Sequence, residues 1–463
     1  PDEAQESLFN VGNSVGDLAK QLFSDGIEIE FDSNNFDAMI TKTQTLISND
    51  TKVIYEATFK ENGIFAMADI LVKNGDGWDI YEVKASTSVK DTYIDDASIQ
   101  WYALSKAINL NKVYIVHIDN SYIRNSSLDI QKLFKIEDVT DAILNKQYSI
   151  EPNLDDLEQV LLNDLPSIDI GTHCSNPYGC DFSDYCWKNL PYPSVFNLYW
   201  MNSSKKFEMY YKGIVSYEDI PKDFKLNETQ TLQVSTSKTK QPYINKQIIS
   251  DFLNTIEFPI NFFDFETFQN AIPRFDKQRP YMQMPFQYSL HVLHEDGVME
   301  HKEFLGDENS DPRETLSNQM IKDITATGSI IAFNQGFEKG QIKNLAEFQT
   351  DMEDELLALN ERFVDIAHPF QYKHYYHPKF NGRYSIKIVL PTLFPDDDEL
   401  DYKKLGSIQN GGDAMDTFAN LHLLKDQSKV AEIRKDFLAY CHLDTLAMVR
   451  IWEKLHEIVK NQT

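Results

Sequence analysis

Between Pro259 and Phe268 the chain reads PINFFDFETF, a run apolar and aromatic on both faces that carries two acids, Asp264 and Glu266. A run of that kind reads as a strand buried on both sides. Strand side chains alternate, so positions i and i+2 point the same way. Two carboxylates therefore share one face of a buried strand, where each is desolvated and each raises the other's pKa. A divalent cation resolves that conflict, since Mg²⁺ takes oxygen ligands from one or two carboxylates and fills its other positions with water and phosphate. The structural alternative is a strand end with solvated acids.

At 463 residues the chain exceeds one typical domain and can bury two or three cores. A hydrophobic content of 42% and an aromatic content of 12% indicate globular rather than disordered structure. No apolar run is long enough for a membrane helix. The opening PDEAQESLFN lacks the basic region and apolar core of a signal peptide and has no initiator Met, which suggests a processed chain or a fragment. Four Cys are too few for a disulfide framework and point to a reducing cytoplasm. A formal charge of −28 argues against broad affinity for nucleic acid, but clustered acids at metal sites contribute to it and a local basic groove is compatible with it.

Three zones are legible. Residues 1–190 alternate helical and strand signals and end in a tight Cys group. Residues 191–255, rich in Ser, Thr and Lys with poor periodicity, read as a connecting region with some helix. Residues 256–463 alternate strands and helices again. Both globular zones read as α/β, with no internal repeat.

In the last zone, Met284–Leu293 reads as a second strand able to pair with the first. Gly328–Phe333 is strand-like and Asn334–Glu338 opens a helix. Phe437–Leu455 is an amphipathic helix on which Tyr440 and Asp444, four apart, share a face. Asp-x-Glu on a strand, Asn-x-x-Phe-acid at a strand–helix junction and Tyr-x-x-x-Asp on a late helix resemble, in order, the three motifs of the DEDD exonucleases, from about Asn261 to Asp444. The resemblance implies an RNase H-like fold and 3′–5′ cleavage. In it Asp264, Glu266, Glu338 and Asp444 hold two cations, one lowering the pKa of a water and the other stabilising the leaving oxygen, while Tyr440 orients the attacking water. The family's second acid is usually Asp. Here it is Glu338, with Asp365 as a spare that reads more simply as a helix cap or surface acid. Between the second and third motifs, Tyr375, Tyr376, His377, Lys379, Arg383, Tyr384 and Lys387 interleave rings and cations, as suits single-stranded nucleic acid. Asn334, Tyr376, Lys379, Arg383 and Lys387 are the nucleic-acid-binding candidates. The plainer reading is a strand and loop with partly buried Tyr.

In the first zone, Val53–Thr87 reads as three consecutive strands. Asp69 lies in the apolar ADILV, and Glu82 and Lys84 in WDIYEVKAS point to one face. An acid followed thirteen residues later by Glu-x-Lys resembles the PD-(D/E)XK restriction-endonuclease-like nucleases. The resemblance implies that Asp69, Glu82 and the Val83 carbonyl hold a cation, while Lys84 positions or activates water and stabilises the phosphate. Glu56 on the preceding strand and Gln100 on the following helix match the RecB-like branch. That branch has Tyr where this chain has Leu104, with Tyr102 nearby. Val113–Asp119 supplies the next strand and Val11–Phe23 a first helix. Gly12 resembles the start of the family's first motif, without the His that often follows as a manganese ligand.

Cys174, Cys180 and Cys186 recur at intervals of six, a spacing that suits a thiolate metal site. Cas-associated and AddB-type RecB-like nucleases hold a [4Fe–4S] cluster with one Cys before the core and three after it, which this position resembles. A fourth Cys ligand is absent here, as in a chain shortened at its start, and Cys441 lies beside the exonuclease motif. His173 offers a Cys₃His zinc site instead. The whole order resembles a bacterial family that fuses a RecB-like nuclease to an RNase H-like exonuclease. It implies a cytoplasmic, Mg²⁺- or Mn²⁺-dependent nuclease acting on DNA, single-stranded for preference, or on RNA, with no membrane partner. Two other readings remain: only the C-terminal site is active while the N-terminal half binds substrate, or the chain is a catalytically silent scaffold.

Overall fold

A computed structural model of the chain describes residues 3–460, with side chains from residue 9 onward. The fold is mixed α/β and divides into two compact units, Pro1–Ile168 with Gln269–Met282 and Asp169–Phe268 with Gln283–Thr463.

Unit 1 is a six-stranded sheet of β1 (Ile27–Glu28), β2 (Val53–Glu61), β3 (Ile64–Asn74), β4 (Gly77–Lys84), β5 (Leu110–Ile118) and β6 (Phe134–Asp138), paired in chain order. Strands β2, β3 and β4 form an antiparallel meander. The first of its turns is Asn62–Gly63, both at positive φ (48° and 79°), the backbone a two-residue hairpin favours. β5 runs parallel to β4, which requires a crossover, supplied by the helix Asp91–Ala107. Alternation along each strand feeds two cores. Leu71, Ile80, Val113 and Ile115 pack with the crossover helix, while Ile70, Val116 and Ile118 pack with Val15 and Ala19 of the helix Glu3–Ala19. The segment Gln269–Met282 belongs to this unit: the Tyr281 hydroxyl donates to Ala85 O at 2.8 Å, and Asp276 accepts from Ser126 N at 2.8 Å.

Unit 2 contains β7 (Tyr243–Ile244), β8 (Ile260–Phe268), β9 (Met284–Leu293), β10 (Met299–Leu305), β11 (Ile330–Ala332), β12 (Phe363–Asp365) and β13 (Tyr375–Tyr376). Its main sheet has the order β10-β9-β8-β11-β12, with β9 antiparallel to both neighbours and β11 parallel to both of its own. β7 and β13 form a separate pair. One face, with Phe263, Phe265, Tyr288, Leu290 and Val292, is covered by the helices Arg313–Asp323, Gly336–Phe348 and Glu353–Asn360. The other face carries the alternate residues and receives the helix Gln427–Lys460. There Gln287 donates to Phe437 O at 2.8 Å, and Ser289 and His291 each meet Thr445 Oγ1 at 2.8 Å.

Residues 191–255 hold the helices Ser203–Tyr211, Glu228–Thr239 and Lys246–Leu253 and a small core around Val195, Leu198, Met209 and Tyr217. The weak periodicity has a physical cause. Glu228–Thr239 buries Gln230, Gln233 and Thr236 beside Val234, and Gln233 is held by Asn197 O, Tyr199 N and the Tyr217 hydroxyl. Among the described residues no helix is long and apolar enough to cross a membrane.

The parallel pairing of β8 with β11 depends on a close approach. Gly328 has φ +83°, and a Cβ there would lie 2.0 Å from Pro259 O. Gly328→Ala is expected to cost more than about 2 kcal/mol in a denaturant titration, because both the backbone conformation and the contact forbid a side chain.

Candidate functional site

β8 turns Asp264 and Glu266 toward the helix Gln427–Lys460, which returns Tyr440 and Asp444 one turn apart. One oxygen from each of Asp264, Glu266 and Asp444 lies within 4.8 Å of the others. Glu338, in the first turn of the helix Gly336–Phe348, is 3% exposed, and its Oε2 has no hydrogen-bond partner. Asp264, Glu266 and Asp444 line a cleft of about 390 Å³ whose walls also include Phe337, Lys387, Gly411 and Tyr440.

Burial dominates the electrostatics. It pushes Asp264 well above the usual carboxylate range, and the charges of Asp444, Glu266 and Glu338 add to it. Burial and Asp444 likewise raise Glu266. Glu338 is pushed up to about 8 by burial. Asp444 reaches about 6 by burial, against the pull of a 2.5 Å hydrogen bond from the Tyr402 hydroxyl and of the Lys387 charge. Lys387 donates to the Tyr440 hydroxyl at 3.2 Å and to Gln409 O at 3.0 Å, and lies 5.0 Å from the centres of both the Tyr402 and Tyr440 rings. Burial and the nearby carboxylates raise Tyr440, so its hydroxyl keeps its proton. Cys441 Sγ approaches Asp264 Oδ2 at 3.9 Å, and burial pushes its thiol up as well, so it packs as a neutral group.

Asp365 is spent on backbone. It accepts from Asn334 N and Ala367 N at 2.9 Å and from Gln335 N at 3.3 Å, fixing the strand–helix junction where Asn334 sits at φ 65°. The same junction presents Glu338. Of the nucleic-acid candidates, Tyr376 is 1% exposed and its hydroxyl accepts from Gly382 N at 2.9 Å, so its ring offers no face to a base. Tyr375 is buried too, whereas Lys379 and Arg383 are exposed. Tyr402 is the site neighbour that sequence reasoning missed, whereas Cys441 was placed beside the motif by its position next to Tyr440. Tyr402 lies in a short turn far along the chain from any acid of the set, and nothing in its spacing marks it.

In unit 1 the β3–β4 pairing stops at Ile70 and Tyr81, just before Asp69 and Glu82. Asp69 takes over as acceptor, receiving Val83 N at 2.7 Å. Burial raises Asp69 to about 6, with Glu56 contributing, and raises Glu82 to about 8, with Asp69 contributing. Glu82 Oε2 is buried without a partner. Lys84 Nζ donates to Glu82 at 2.9 Å and to Asp96 at 2.6 Å. Burial works to lower the Lys84 pKa, but Glu82 and Asp96 outweigh it and keep the ammonium charged. Asp96, one helical turn from Gln100, had no signal beyond its place on the crossover helix. Gln100 is buried with its carbonyl oxygen unpartnered. Glu56 sits within β2 at φ 57°, a left-handed strand residue of the kind that stores strain at functional sites, and burial raises its carboxyl despite Lys20 at 3.6 Å. Tyr102 is a core residue whose hydroxyl receives Asn62 at 3.2 Å. A cleft of about 490 Å³ opens directly after Lys84, walled by residues that include Ser86, Lys90 and Arg279.

Cys174 is half-buried, and Cys180 and Cys186 are exposed. Among the described residues, ligand atoms gather within 4.8 Å in the acid set above and in a histidine set, His291, His301 and His442; the three thiols are not gathered in this way. Gly171 N points to Cys174 Sγ at 3.5 Å, and the neighbouring His173 packs against Gly171.

Residues 261–385 match the family described as Domain of unknown function (DUF2779). That stretch contains Asp264, Glu266 and Glu338 and ends before Tyr440 and Asp444. The chain is also similar to the Uncharacterized protein MG366 homolog of Mycoplasma pneumoniae, 27% identical over 220 residues, or 43% of this chain and 32% of that protein. It thus spans about a third of the length of that relative. No solved structure matches.

The raised carboxyls fix a pH dependence. Asp69 and Asp444 at about 6, and Glu82 and Glu338 at about 8, all lie above the unfolded values of about 4. The folded state therefore binds protons more tightly. The resulting stabilisation is full below about pH 4 and is lost as pH rises through about 6 to 8. Calorimetry in a chelator should show the melting temperature falling across that window, with Asp264→Asn flattening the fall. A melting temperature that rises across it would contradict these environments.

Proposed function

We propose that the chain is a metal-dependent nuclease that hydrolyses phosphodiester bonds, with a 3′–5′ exonuclease site at the unit 2 acids and a second nuclease site at the unit 1 acids. The observation that carries the reading is the convergence of Asp264, Glu266 and Asp444, drawn from a central strand and a late helix, to within 4.8 Å. Buried carboxylates at that spacing are costly without a cation. A mixed five-stranded sheet with the acid strand β8 at its centre and helices on both faces supports an RNase H-like domain. The antiparallel meander, crossover helix and parallel β5, with Asp69, Glu82 and Lys84 at the split between β3 and β4, support a PD-(D/E)XK domain.

The residues fit a divalent, oxygen-seeking ion such as Mg²⁺ or Mn²⁺, and the unpartnered oxygens of Glu338 and Glu82 are free ligand atoms. In unit 2 the holding residues are Asp264, Glu266, Asp444 and Glu338; in unit 1 they are Asp69, Glu82 and the Val83 carbonyl. Ions bound there supply charge neutralisation at the phosphate and a lowered pKa for the attacking water. The chain's own groups do the positioning. Tyr440, protonated, receives Lys387 and bonds to Asp444, which places its hydroxyl beside the acids to orient a water. Tyr402 holds Asp444 in one orientation. Lys387 brings a cation to the cleft of a chain whose net charge is −28, and Lys84 puts one beside the acids of unit 1. Single-stranded DNA is the favoured substrate, with RNA the second. The Cys triplet carries no step.

Incubation of 5′-labelled single-stranded DNA and RNA with Mg²⁺ or Mn²⁺ tests the reading. The wild type should shorten the strand stepwise from its 3′ end, and Asp264→Ala should abolish this. Tyr440→Phe should slow it about 10²-fold, and Lys84→Ala should remove a separate activity while leaving the 3′ trimming. A wild type inert on every substrate with both metals would sink the proposal.

A further inference from the structure

A second metal-binding constellation lies in unit 2, made of imidazoles rather than carboxylates. His291 on β9 and His301 on β10 are direct cross-strand partners, and His442 reaches the same place from the helix Gln427–Lys460. Their ring centres lie 4.4–4.8 Å apart, and one nitrogen from each falls within 4.8 Å of the others. His442 Nδ1 and His301 Nε2 face each other at 3.2 Å. Two ring nitrogens that close share a proton or a cation, and Ser289 Oγ lies 3.0 Å from the same His301 Nε2. Ligands about 2.05 Å from a tetrahedral ion stand about 3.3 Å apart, so this pair already has the spacing of two ligands. His291 is buried and its Nδ1 is tied to Thr445 Oγ1 at 2.8 Å, which leaves Nε2 as its ligand atom. A hydroxyl or carbonyl on the far ring nitrogen is the usual device that orients a ligating imidazole. Thr445 is held in turn by Ser289 Oγ at 2.8 Å and His442 O at 3.1 Å.

We infer that His291, His301 and His442 form a site for a divalent transition-metal ion of the zinc class, distinct in ligand chemistry from the carboxylate site. Three imidazoles select Zn²⁺, Co²⁺ or Ni²⁺ over Mg²⁺, whose preference is for oxygen. His301 is exposed, so a fourth position faces solvent. Glu303, two residues along the same face of β10, is exposed and bears on His442 electrostatically, adding negative charge at that opening. A metal here clamps the β9–β10 hairpin to the helix that carries Tyr440 and Asp444, next to the carboxylate site but without touching a phosphate.

The test is titration of the metal-stripped full chain with Co²⁺, followed by its visible absorption and by displacement with Zn²⁺. One equivalent should give an intense band of low-coordinate Co²⁺ with nitrogen ligands. His301→Ala, at an exposed position that should not disturb folding, and His442→Gln should each weaken binding at least about tenfold. Cys180→Ser should leave the band in place. The inference is overturned if no such band forms, if both His variants bind as the wild type does, or if the band disappears with Cys180→Ser instead.

Discussion

Burial of Asp264, Glu266, Glu338 and Asp444 away from bulk water, with repulsion from neighbouring acids adding to it at the first three, sets the terms on which unit 2 folds. A strand as apolar as β8 could hold any aliphatic residue at positions 264 and 266. Placing acids there, and meeting them with Asp444 from the packed helix, gives up stability that the surrounding core must supply. The neighbours are built around that strain. Phe263 and Phe265 anchor β8 into the opposite core, Tyr402 donates to Asp444, and Lys387 sits over the two tyrosine rings as the local counter-charge. None of them neutralises the set. Lys387 is one cation against four carboxylates, and Glu338 keeps an oxygen unpartnered.

Unit 1 meets a similar conflict by different means. Asp69 interrupts the β3–β4 ladder and replaces a main-chain acceptor, Glu82 is buried beside it, and Lys84 is shared between Glu82 and Asp96. A positive φ at Glu56 within a strand marks a further local cost in the same cluster. In each unit an acid is presented by a sheet whose own packing is satisfied, so the electrostatic strain stays local and a bound cation is its natural relief.

What was legible in the sequence followed from short-range geometry. The two acids of β8 share a face because strands alternate, and Tyr440 shares one with Asp444 because helices repeat every 3.6 residues. Pairwise spacing says nothing of residues brought in over long distances. Tyr402 and Asp96 reach the acids only through tertiary packing, and so does the meeting of His442 with the His291–His301 pair. Other features escaped for different reasons. The helix Glu228–Thr239 hides its buried face behind glutamines, and Tyr376, attractive as a stacking ring among basic residues, is consumed by the core. Residues 269–282 join β8 to β9 along the chain, yet Tyr281 and Asp276 bond into unit 1, which no local pattern in the segment marks. The cysteine spacing was plain, but the three thiols do not converge.

We propose that the buried carboxylates of unit 2 persist because they hold a divalent cation. Titration of Mn²⁺ into the metal-stripped chain, with free Mn²⁺ followed by electron paramagnetic resonance, tests it directly when the wild type is compared with Asp264→Asn and Asp444→Asn. Saturable binding is expected in the wild type, with at least one equivalent weakened about tenfold or more in each variant. Identical titrations for all three proteins, or no binding by the wild type, would contradict it.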